Sequence, residues 1–321
     1  MKKILARVAT VALALFFVAQ ASAQYPERAI RIMVPIPPGG APDLVARLIG
    51  QELSKVFHKP VVVENRPGSN GVIASEITAR ATPDGYTLLL GPEGLVVINP
   101  HLYAKLRYDP LKDLIPVASV FLSNFVMAVN SSLPVKNFQE FIEYARKADP
   151  PLPYGSGGNG SQHQLIMELL KSRAGIKLMH VPYKGGRPAT TALVAGQVAA
   201  MFSGASIVGQ IRSGKLRAIA LSGEKRSSAF PGVPTISEFY PGASINPWAG
   251  IYAPAGTPAA IVATLRTEVN RILARPEIAE NFDRMGGVEP FVTSPEELAA
   301  LIRTQHASYG KLVKDIGVTL D

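Results

Sequence analysis

The stretch VPIPPGGAPDLVAR, residues 34–47, joins an apolar segment to an amphipathic one through a proline–glycine break. The apolar residues from Ala29 to Pro35 predict a strand. The helical spacing of apolar residues from Asp43 to Phe57 predicts a helix, and Asp43 is placed to cap its first turn. A helix N-terminus carries unpaired N–H groups and the positive end of the helix dipole. Because glycine lets a ligand approach the backbone closely, this loop predicts an anion site.

The residues that follow repeat the alternation of strand and helix. Val61–Glu64 is predicted as a second strand, Val72–Ala81 as a helix and Tyr86–Leu90 as a third strand. Elements alternating at this spacing are typical of βαβ units and predict an α/β fold with a largely parallel sheet.

A second set of such elements begins near Phe121. Further strands are predicted at 121–129, 154–160, 177–181, 198–202, 216–222 and 248–253, and helices at 139–147, 162–173, 188–195, 258–274, 277–284 and 295–314. The tail after residue 253 has no predicted strand, so we expect it to pack back onto the first of two lobes.

The length of the chain predicts these two lobes, because about 300 residues exceed what one core usually organises. We therefore predict two lobes, residues 24–124 with 249–321 and residues 125–248.

The N-terminus has the layout of a secretory signal peptide. Three positive charges precede the apolar run from Val8 to Ala19, and Ala21-Ser22-Ala23 supplies small residues at the cleavage spacing. The run is shorter than the ~20 residues of a membrane-spanning helix. We expect residues 1–23 to be removed after Ala23 and the mature chain to reside in the periplasm; an uncleaved anchor or an amphipathic first helix is the alternative.

Composition excludes several classes of site. The absence of cysteine excludes disulfides, thiolate metal sites and a cysteine nucleophile. The net charge of +9 falls to +6 without the three positive charges of residues 1–23. The remaining lysines and arginines are scattered rather than clustered, so a nucleic-acid surface is not expected. A receptor for small anions is compatible with this balance.

Enzyme motifs are incomplete. Gly155, Gly157 and Gly160 form G-x-G-x-x-G, but no acidic residue follows at the spacing that binds a ribose. The segment Gly209–Lys215 matches G-x-x-x-x-G-K, yet Leu216 stands where a P-loop has Ser or Thr. No G-x-S-x-G elbow and no metal-ligand spacing of histidines occurs in the sequence. A secreted hydrolase is therefore the weakest of the candidate functions, and we expect a non-enzyme without cofactor or metal.

Glycine-rich loops precede three predicted helices, at residues 38–43, 155–161 and 183–186. Any one of them is explained as a strand–helix turn that needs glycine for its geometry. In open α/β sheets, however, such loops gather at the carboxyl ends of the strands, where ligands bind. Three of them in a two-lobed chain favour a ligand cleft. His163, at a helix start beside the second loop, is the histidine that we place near the ligand.

Ordered strings along the whole mature chain resemble the Bug-type receptors of tripartite tricarboxylate transport systems. They are VPIPPGGAPDLVAR at 34–47, ENRPG at 64–68, PDGYTLL at 83–89, INP at 98–100, YGSGGNGSQH at 154–163, HVPYKG at 180–185, GKLRA at 214–218, VPT at 233–235 and APAGTP at 253–258. The resemblance implies a type II periplasmic-binding-protein fold, with two α/β lobes, a ligand cleft and two hinge-crossing strands.

The resemblance also implies a function. A small carboxylate-bearing ligand would be held by backbone N–H groups and bridging water, with one carboxylate near the Pro-Gly-Gly loop. The lobes would close on a dicarboxylate, an aromatic acid or an amino acid, and the receptor, a monomer, would deliver it to the membrane components of the transporter. The alternative is a periplasmic sensor that presents the bound solute to a signalling partner.

By position, the expected ligand-binding residues come from both lobes. They are Ile36, Pro38, Gly39, Gly40 and Asp43 from the first, and Ser156, Asn159, Gly160, Ser161, His163, Lys184 and Gly185 from the second. Two further candidates depart from the family pattern: Glu93, where many relatives have a small hydroxyl or amide residue, and Ser203, where many have Asp. We hypothesise that Glu93 reaches the cleft and meets a ligand ammonium, amide or hydroxyl; the alternative is a side chain turned to solvent.

Overall fold

The computed structural model describes residues 25–320. The predicted signal peptide and its cleavage site lie outside the described residues. Within residues 25–320, no helix has the length and apolar character needed to cross a membrane.

Eleven strands and eleven α-helices are described. The strands are β1 (Ile30–Val34), β2 (Val61–Asn65), β3 (Thr87–Pro92), β4 (Leu114–Ser123), β5 (Val126–Asn130), β6 (Leu152–Ser156), β7 (Leu178–Pro182), β8 (Ala200–Ser203), β9 (Leu216–Leu221), β10 (Trp248–Pro254) and β11 (Val288–Pro290). The helices are α1 (Ala41–Phe57), α2 (Val72–Ala79), α3 (Gly94–Val97), α4 (Asn99–Leu102), α5 (Phe138–Lys147), α6 (Gln162–Ala174), α7 (Gly186–Val194), α8 (Val208–Arg212), α9 (Ala259–Leu273), α10 (Pro276–Met285) and α11 (Pro295–Ile316).

The strands form two sheets, each with its own helices, which we call the first and second lobes. The first sheet has six strands in the order β11-β4-β10-β3-β1-β2, and the second has five in the order β7-β6-β8-β5-β9. In the first, β1 is parallel to β2 and β3, whereas β10 is antiparallel to both β3 and β4. In the second, β6 is parallel to β7 and β8, whereas β5 is antiparallel to β8 and β9.

The prediction of a largely parallel sheet is wrong, because both sheets are mixed. Parallel neighbours need a crossover connection, which the βαβ units supply. No helix of a βαβ unit lies between β4 and β5, where the chain enters the second sheet. The strands that carry the chain between the sheets therefore bring antiparallel pairing to each of them.

Two strands differ from the sequence prediction. The segment predicted as one strand, 121–129, is the end of β4 and most of β5, interrupted at Asn124 and Phe125 where the chain passes between the sheets. The tail predicted as helical contains β11, which has three residues and is too short for a periodic pattern to identify. Helix α11 packs on α3, α4 and β4 as predicted, and also on α6 of the second lobe.

The two passages between the sheets lie side by side. The Ser123 N–H donates to the Pro247 carbonyl at 2.7 Å. Two residues later, the Ser222 N–H donates to the Phe125 carbonyl at 2.8 Å, and the Phe125 N–H donates to Ser222 Oγ at 3.2 Å. Paired passages of this kind form a hinge about which two lobes can rotate.

Candidate ligand-binding cleft

The Pro-Gly-Gly loop follows β1 and leads into α1. Gly39 has φ of +90°, a conformation that side-chain-bearing residues rarely adopt. Its N–H donates to Asp43 Oδ2 at 2.8 Å, and the Asn65 amide donates to Asp43 Oδ1 at 2.9 Å. The N-cap of α1 is Gly40, so Asp43 lies inside the helix and reaches back to the loop. Asp43 thus holds the loop in shape from a buried position.

The charge of Asp43 is fixed by the same contacts. Burial raises the pKa of this carboxyl, but hydrogen bonds from Arg47, Asn65 and the Gly39 N–H outweigh burial and hold the pKa below its usual range. Asp43 is therefore ionised at neutral pH, and both of its carboxylate oxygens accept hydrogen bonds from other groups of the protein.

The start of α1 has free backbone donors. Within residues 25–320, nothing accepts a hydrogen bond from the N–H of Gly40 or Ala41. The 17-residue helix adds the positive end of its dipole at the same place. A Cβ on Gly40 would lie 2.5 Å from the terminal methyl of Ile36, so a larger residue here would require that side chain to move. The Ile36 carbonyl accepts from the Asn65 amide at 3.0 Å, and Pro38 is exposed at the loop tip.

Arg187, near the start of α7, reaches this loop from the second lobe. Its Nη2 donates to the Gly39 carbonyl at 3.2 Å. A Cβ on Gly39 would overlap the guanidinium, so glycine also permits this approach. The contact places a permanent positive charge beside the free N–H groups of α1.

A second contact crosses between the lobes at Asn70. Its amide donates to the Asn159 carbonyl at 2.8 Å, while its own carbonyl accepts from the Asn99 amide at 3.1 Å. Both Ser69 and Asn70 have positive φ, 47° and 49°, which for non-glycine residues marks a loop held by its surroundings. Asn159 itself is exposed.

The loop between β6 and α6 is held by its own side chains. Ser156, which is buried, hydrogen-bonds through Oγ to His180 Nε2 at 2.6 Å and accepts from the Gly158 N–H at 3.1 Å. Ser161 is the N-cap of α6 and donates to the Gly158 carbonyl at 2.6 Å. The Gly160 N–H donates to Gln164 Oε1 at 2.7 Å. The polar groups of these residues therefore stabilise the conformation of the loop.

His163 lies between two of the glycine-rich loops. Its Nδ1 is buried and has no hydrogen-bond partner among the described residues. Burial lowers the pKa of His163 to about 4, so the ring is neutral at neutral pH. A Cβ on Gly157 would lie 3.0 Å from its Nδ1, and one on Gly186 would lie 3.2 Å from its Nε2. The imidazole is thus an uncharged hydrogen-bonding group that fits because both neighbours are glycine.

The other candidates of the second lobe lie in the loop before α7 and at the end of β8. The Gly185 N–H donates to the Gly157 carbonyl at 3.1 Å and ties the two loops together, and Lys184 is exposed. Ser203 is fully buried and hydrogen-bonds to Ser206 Oγ at 2.9 Å. A Cβ on Gly186 would lie 3.5 Å from that Oγ and 3.2 Å from His163 Nε2, so Ser206 and His163 both border Gly186.

Glu93 is fully buried, and the alternative of a side chain in solvent is wrong. Its Oε2 accepts from the Trp248 N–H at 3.0 Å, and the Tyr309 hydroxyl donates to its Oε1 at 3.4 Å. Burial raises the pKa of Glu93 to about 7, against the lowering effect of these donors and of the nearby Gln162 amide. Its carboxylate thus faces the hinge strand β10 and helix α11; contact with a ligand stays a prediction.

Four residues near the cleft were not predicted: Arg187, Asn70, Ser206 and Phe125. Arg187 had a signal, since it comes two residues after the string HVPYKG and supplies a cation near a helix start. The others gain their positions only when the two sheets meet. The structure links Gly39 to His163 through Arg187 and Gly186, and it joins Asn159 to Asn70. Asp43, Ser156 and Ser161 instead support their own loops.

Known proteins are similar to this chain over most of its length. Residues 45–318 match the tripartite tricarboxylate transporter family receptor. Protein BugT of Bordetella pertussis (strain Tohama I) is 34% identical, over 92% of this chain and 91% of its own length. The R. palustris protein Rpa4515 with adipate has a TM-score of 0.87 at 32% identity, covering 92% of this chain and 99% of that chain. MatC from Rhodopseudomonas palustris with bound malate has a TM-score of 0.81 at 32% identity, covering 90% and 100%.

Proposed function

The chain belongs to the tripartite tricarboxylate transporter receptor family and is a periplasmic solute-binding receptor of the Bug type; from that premise we propose that it captures a small carboxylate-bearing solute and delivers it to the membrane components of such a transporter. The two lobes, residues 24–124 with 249–321 and residues 125–248, close on the solute. Residues 1–23 direct export and are removed after Ala23.

The observation that carries the proposal is the cluster of donors at the start of α1. The N–H groups of Gly40 and Ala41 have no acceptor within residues 25–320, and the Arg187 guanidinium lies against the adjacent Gly39. Backbone N–H groups, a helix dipole and a guanidinium together favour a carboxylate or another small anion. A neutral or cationic solute would leave this donor cluster unused.

Closure of the lobes is supported by the contacts that bridge them. Arg187 reaches Gly39, and Asn70 reaches Asn159, so each lobe donates one hydrogen bond to a backbone carbonyl of the other. Both bonds join loops that flank the cleft rather than the hinge. A solute between these loops would be shielded from water, which strengthens its electrostatic contacts.

The solved relatives support the ligand class. One is described with adipate and another with malate, both of which are dicarboxylates. Ser156 and Ser161 are occupied in holding their loop, and the pKa of His163, lowered to about 4, makes its imidazole a weak base, which favours a binding site over an activated nucleophile and base. We therefore propose binding and release without chemical turnover.

The test is a thermal-shift screen of the mature chain, Gln24 to Asp321, against carboxylic acids, neutral amides, sugars and amines. A ligand at 100 times its Kd stabilises the folded state by about 2.7 kcal/mol, which raises the melting temperature by a few degrees. We expect stabilisation by members of the acid group. Stabilisation by neutral or cationic compounds alone would contradict the proposal. A subsequent assay for consumption of the bound acid, in which none is expected, separates a receptor from an enzyme.

A further inference from the structure

The second lobe has a hydrogen-bonding atom beside its glycine-rich loops that no described residue uses. This atom is Nδ1 of His163, which is buried and without a partner among the described residues. Buried polar atoms are nearly always paired, so an unpaired one needs an explanation. A ligand that fills the cleft would supply the missing partner.

Resting on the proposed function, we propose that the space around His163 receives an uncharged hydrogen-bonding end of the ligand. The solute then carries one carboxylate, held at Gly40 and Ala41, and at its other end an amide, hydroxyl or similar neutral polar group rather than a second carboxylate.

The walls of this space are small or apolar. The Phe125 ring packs against the His163 ring with 5.1 Å between centroids at an angle of 43°. Phe125 comes from the passage between the sheets, so it lies at the base of the cleft. Gly157 and Gly186 flank the imidazole, and an added Cβ would lie 3.0 Å from Nδ1 at Gly157 and 3.2 Å from Nε2 at Gly186. The immediate surroundings of the ring are therefore a glycine backbone and an aromatic ring, with no charged side chain of the described residues in contact.

The His163 space and the anion site belong to one cleft. Gly186 touches the imidazole, and the next residue, Arg187, touches Gly39 of the Pro-Gly-Gly loop. Consecutive Cα atoms are about 3.8 Å apart, so the two sites are separated by the reach of one arginine side chain. A solute of a few carbon atoms spans that separation with its carboxylate at α1 and its far end at His163.

The charges around His163 favour a neutral end of the ligand over an anionic one. Burial is the cause that lowers the pKa of His163, and no charged group of the described residues contributes to the shift. A second carboxylate here would lose its water without gaining a cation, which is costly. A neutral imidazole instead offers one donor and one acceptor, and the nearby Ser206 hydroxyl, which shares one hydrogen bond with Ser203, keeps an acceptor site. These groups match an amide or a hydroxyl.

The experiment compares compounds that differ only in charge. Isothermal titration of the mature chain would use adipate, its monoamide and its diamide, the corresponding series with four to eight carbons, and terephthalate with its two amides. We expect the monoamide of the best-fitting length to bind at least about tenfold tighter than the diacid. A diacid that binds as tightly as its monoamide would overturn the inference and leave the proposed function intact. A diamide that binds as tightly as the monoamide would overturn the proposed function.

A variant links the preference to the histidine. His163→Leu keeps the apolar volume but removes the hydrogen bonds, and we expect it to reduce the preference for the monoamide over the diacid to within about twofold. The control is His58→Asn, because His58 is exposed, lies at the end of α1 away from the cleft and has a positive φ that asparagine tolerates. An unchanged preference in His163→Leu would overturn the inference.

A second readout follows the histidine in the wild-type protein. In the wild-type protein, the ¹⁵N resonance of His163 Nδ1, assigned by its loss in His163→Leu, should correspond to a neutral ring at about pH 6. Addition of the monoamide should shift that resonance, because Nδ1 gains a partner. A resonance that does not move at saturating ligand would overturn the inference.

Discussion

Glu93 and Trp248 exchange two hydrogen bonds: the Trp248 N–H donates to the Glu93 carboxylate at 3.0 Å, and the Glu93 N–H donates to the Trp248 carbonyl at 3.0 Å. Trp248 begins β10, the strand with which the chain returns from the second sheet to the first. A fully buried carboxyl is therefore attached to the hinge, and its pKa is raised to about 7, chiefly by burial. Its charge state should influence the stability of the protein near neutral pH.

The first prediction concerns Glu93→Gln. Because the folded-state pKa is raised from 4.5 to about 7, the stabilising contribution of the protonated acid is complete below about pH 4.5 and is lost as the pH rises through 7. The charged form then costs on the order of 3 kcal/mol. Glutamine resembles the protonated acid, so the variant should be more stable than wild type at about pH 8 and equal to it near pH 4.5.

Urea unfolding of both proteins across this pH range measures the difference. His163 acts in the opposite direction, because its lowered pKa reduces stability as the pH falls from about 6.5 toward 4. That effect is common to both proteins and cancels when they are compared. A stability difference that is independent of pH would contradict the assignment of the raised pKa to Glu93. Weakened ligand binding by the variant, on the other hand, would support the hypothesis that Glu93 meets the ligand.

The second prediction concerns the contact between the lobes at Arg187. Arg187→Ala removes the hydrogen bond to the Gly39 carbonyl and the charge beside the free N–H groups of α1. We expect the affinity for a carboxylate ligand to fall about tenfold or more, since a charge-assisted hydrogen bond contributes about 1.5–3 kcal/mol. The radius of gyration in solution scattering should increase as closure weakens.

Arg212→Ala is the matched control, because Arg212 is an exposed arginine of the second lobe, at the end of α8. It should leave affinity and radius of gyration unchanged. Equal effects of the two variants would mean that general charge, rather than the contact with Gly39, attracts the ligand.

The third prediction concerns Gly39→Ala. The φ of +90° strains any side-chain-bearing residue, and the added Cβ would overlap the Arg187 guanidinium. We expect a loss of stability on the order of 1 kcal/mol and a larger loss of ligand affinity, measured by thermal unfolding and titration calorimetry. Gly209→Ala serves as control, since Gly209 lies in α8 and nothing described lies within 4 Å of the new Cβ. If Gly39→Ala bound the ligand as tightly as wild type, the loop would not form the anion site.

The elements with a long periodic pattern could be predicted from the sequence. Helix α1 was expected at Asp43–Phe57 and is Ala41–Phe57, and α6 was expected at Gln162–Arg173 and is Gln162–Ala174. The division between β4 and β5 could not, because the apolar run continues through it and only the meeting of two sheets bends the chain. Tertiary context also decides the place of Glu93, a residue type that is rarely buried.

The candidate site, like the fold, could be predicted from the sequence only in part. The glycine-rich loops were predictable because a positive φ or a close approach requires glycine, as at Gly39 and Gly185. The roles within the loops were not, because they depend on hydrogen bonds between segments far apart in the chain. Asp43 was expected to serve the ligand and instead accepts from Gly39 and Asn65. The position of Arg187 near a helix start was visible in the sequence, but its contact with Gly39, 148 residues away, was not.

The most direct test of the central claim, that the cleft grips a carboxylate at the start of α1, is a crystal structure of the mature chain with the best acid of the screen. We expect one carboxylate oxygen within about 3.2 Å of the Gly40 and Ala41 nitrogens, with Arg187 still against the loop. A ligand whose carboxylate lies away from these N–H groups, or a complex in which they contact only solvent, would contradict the account.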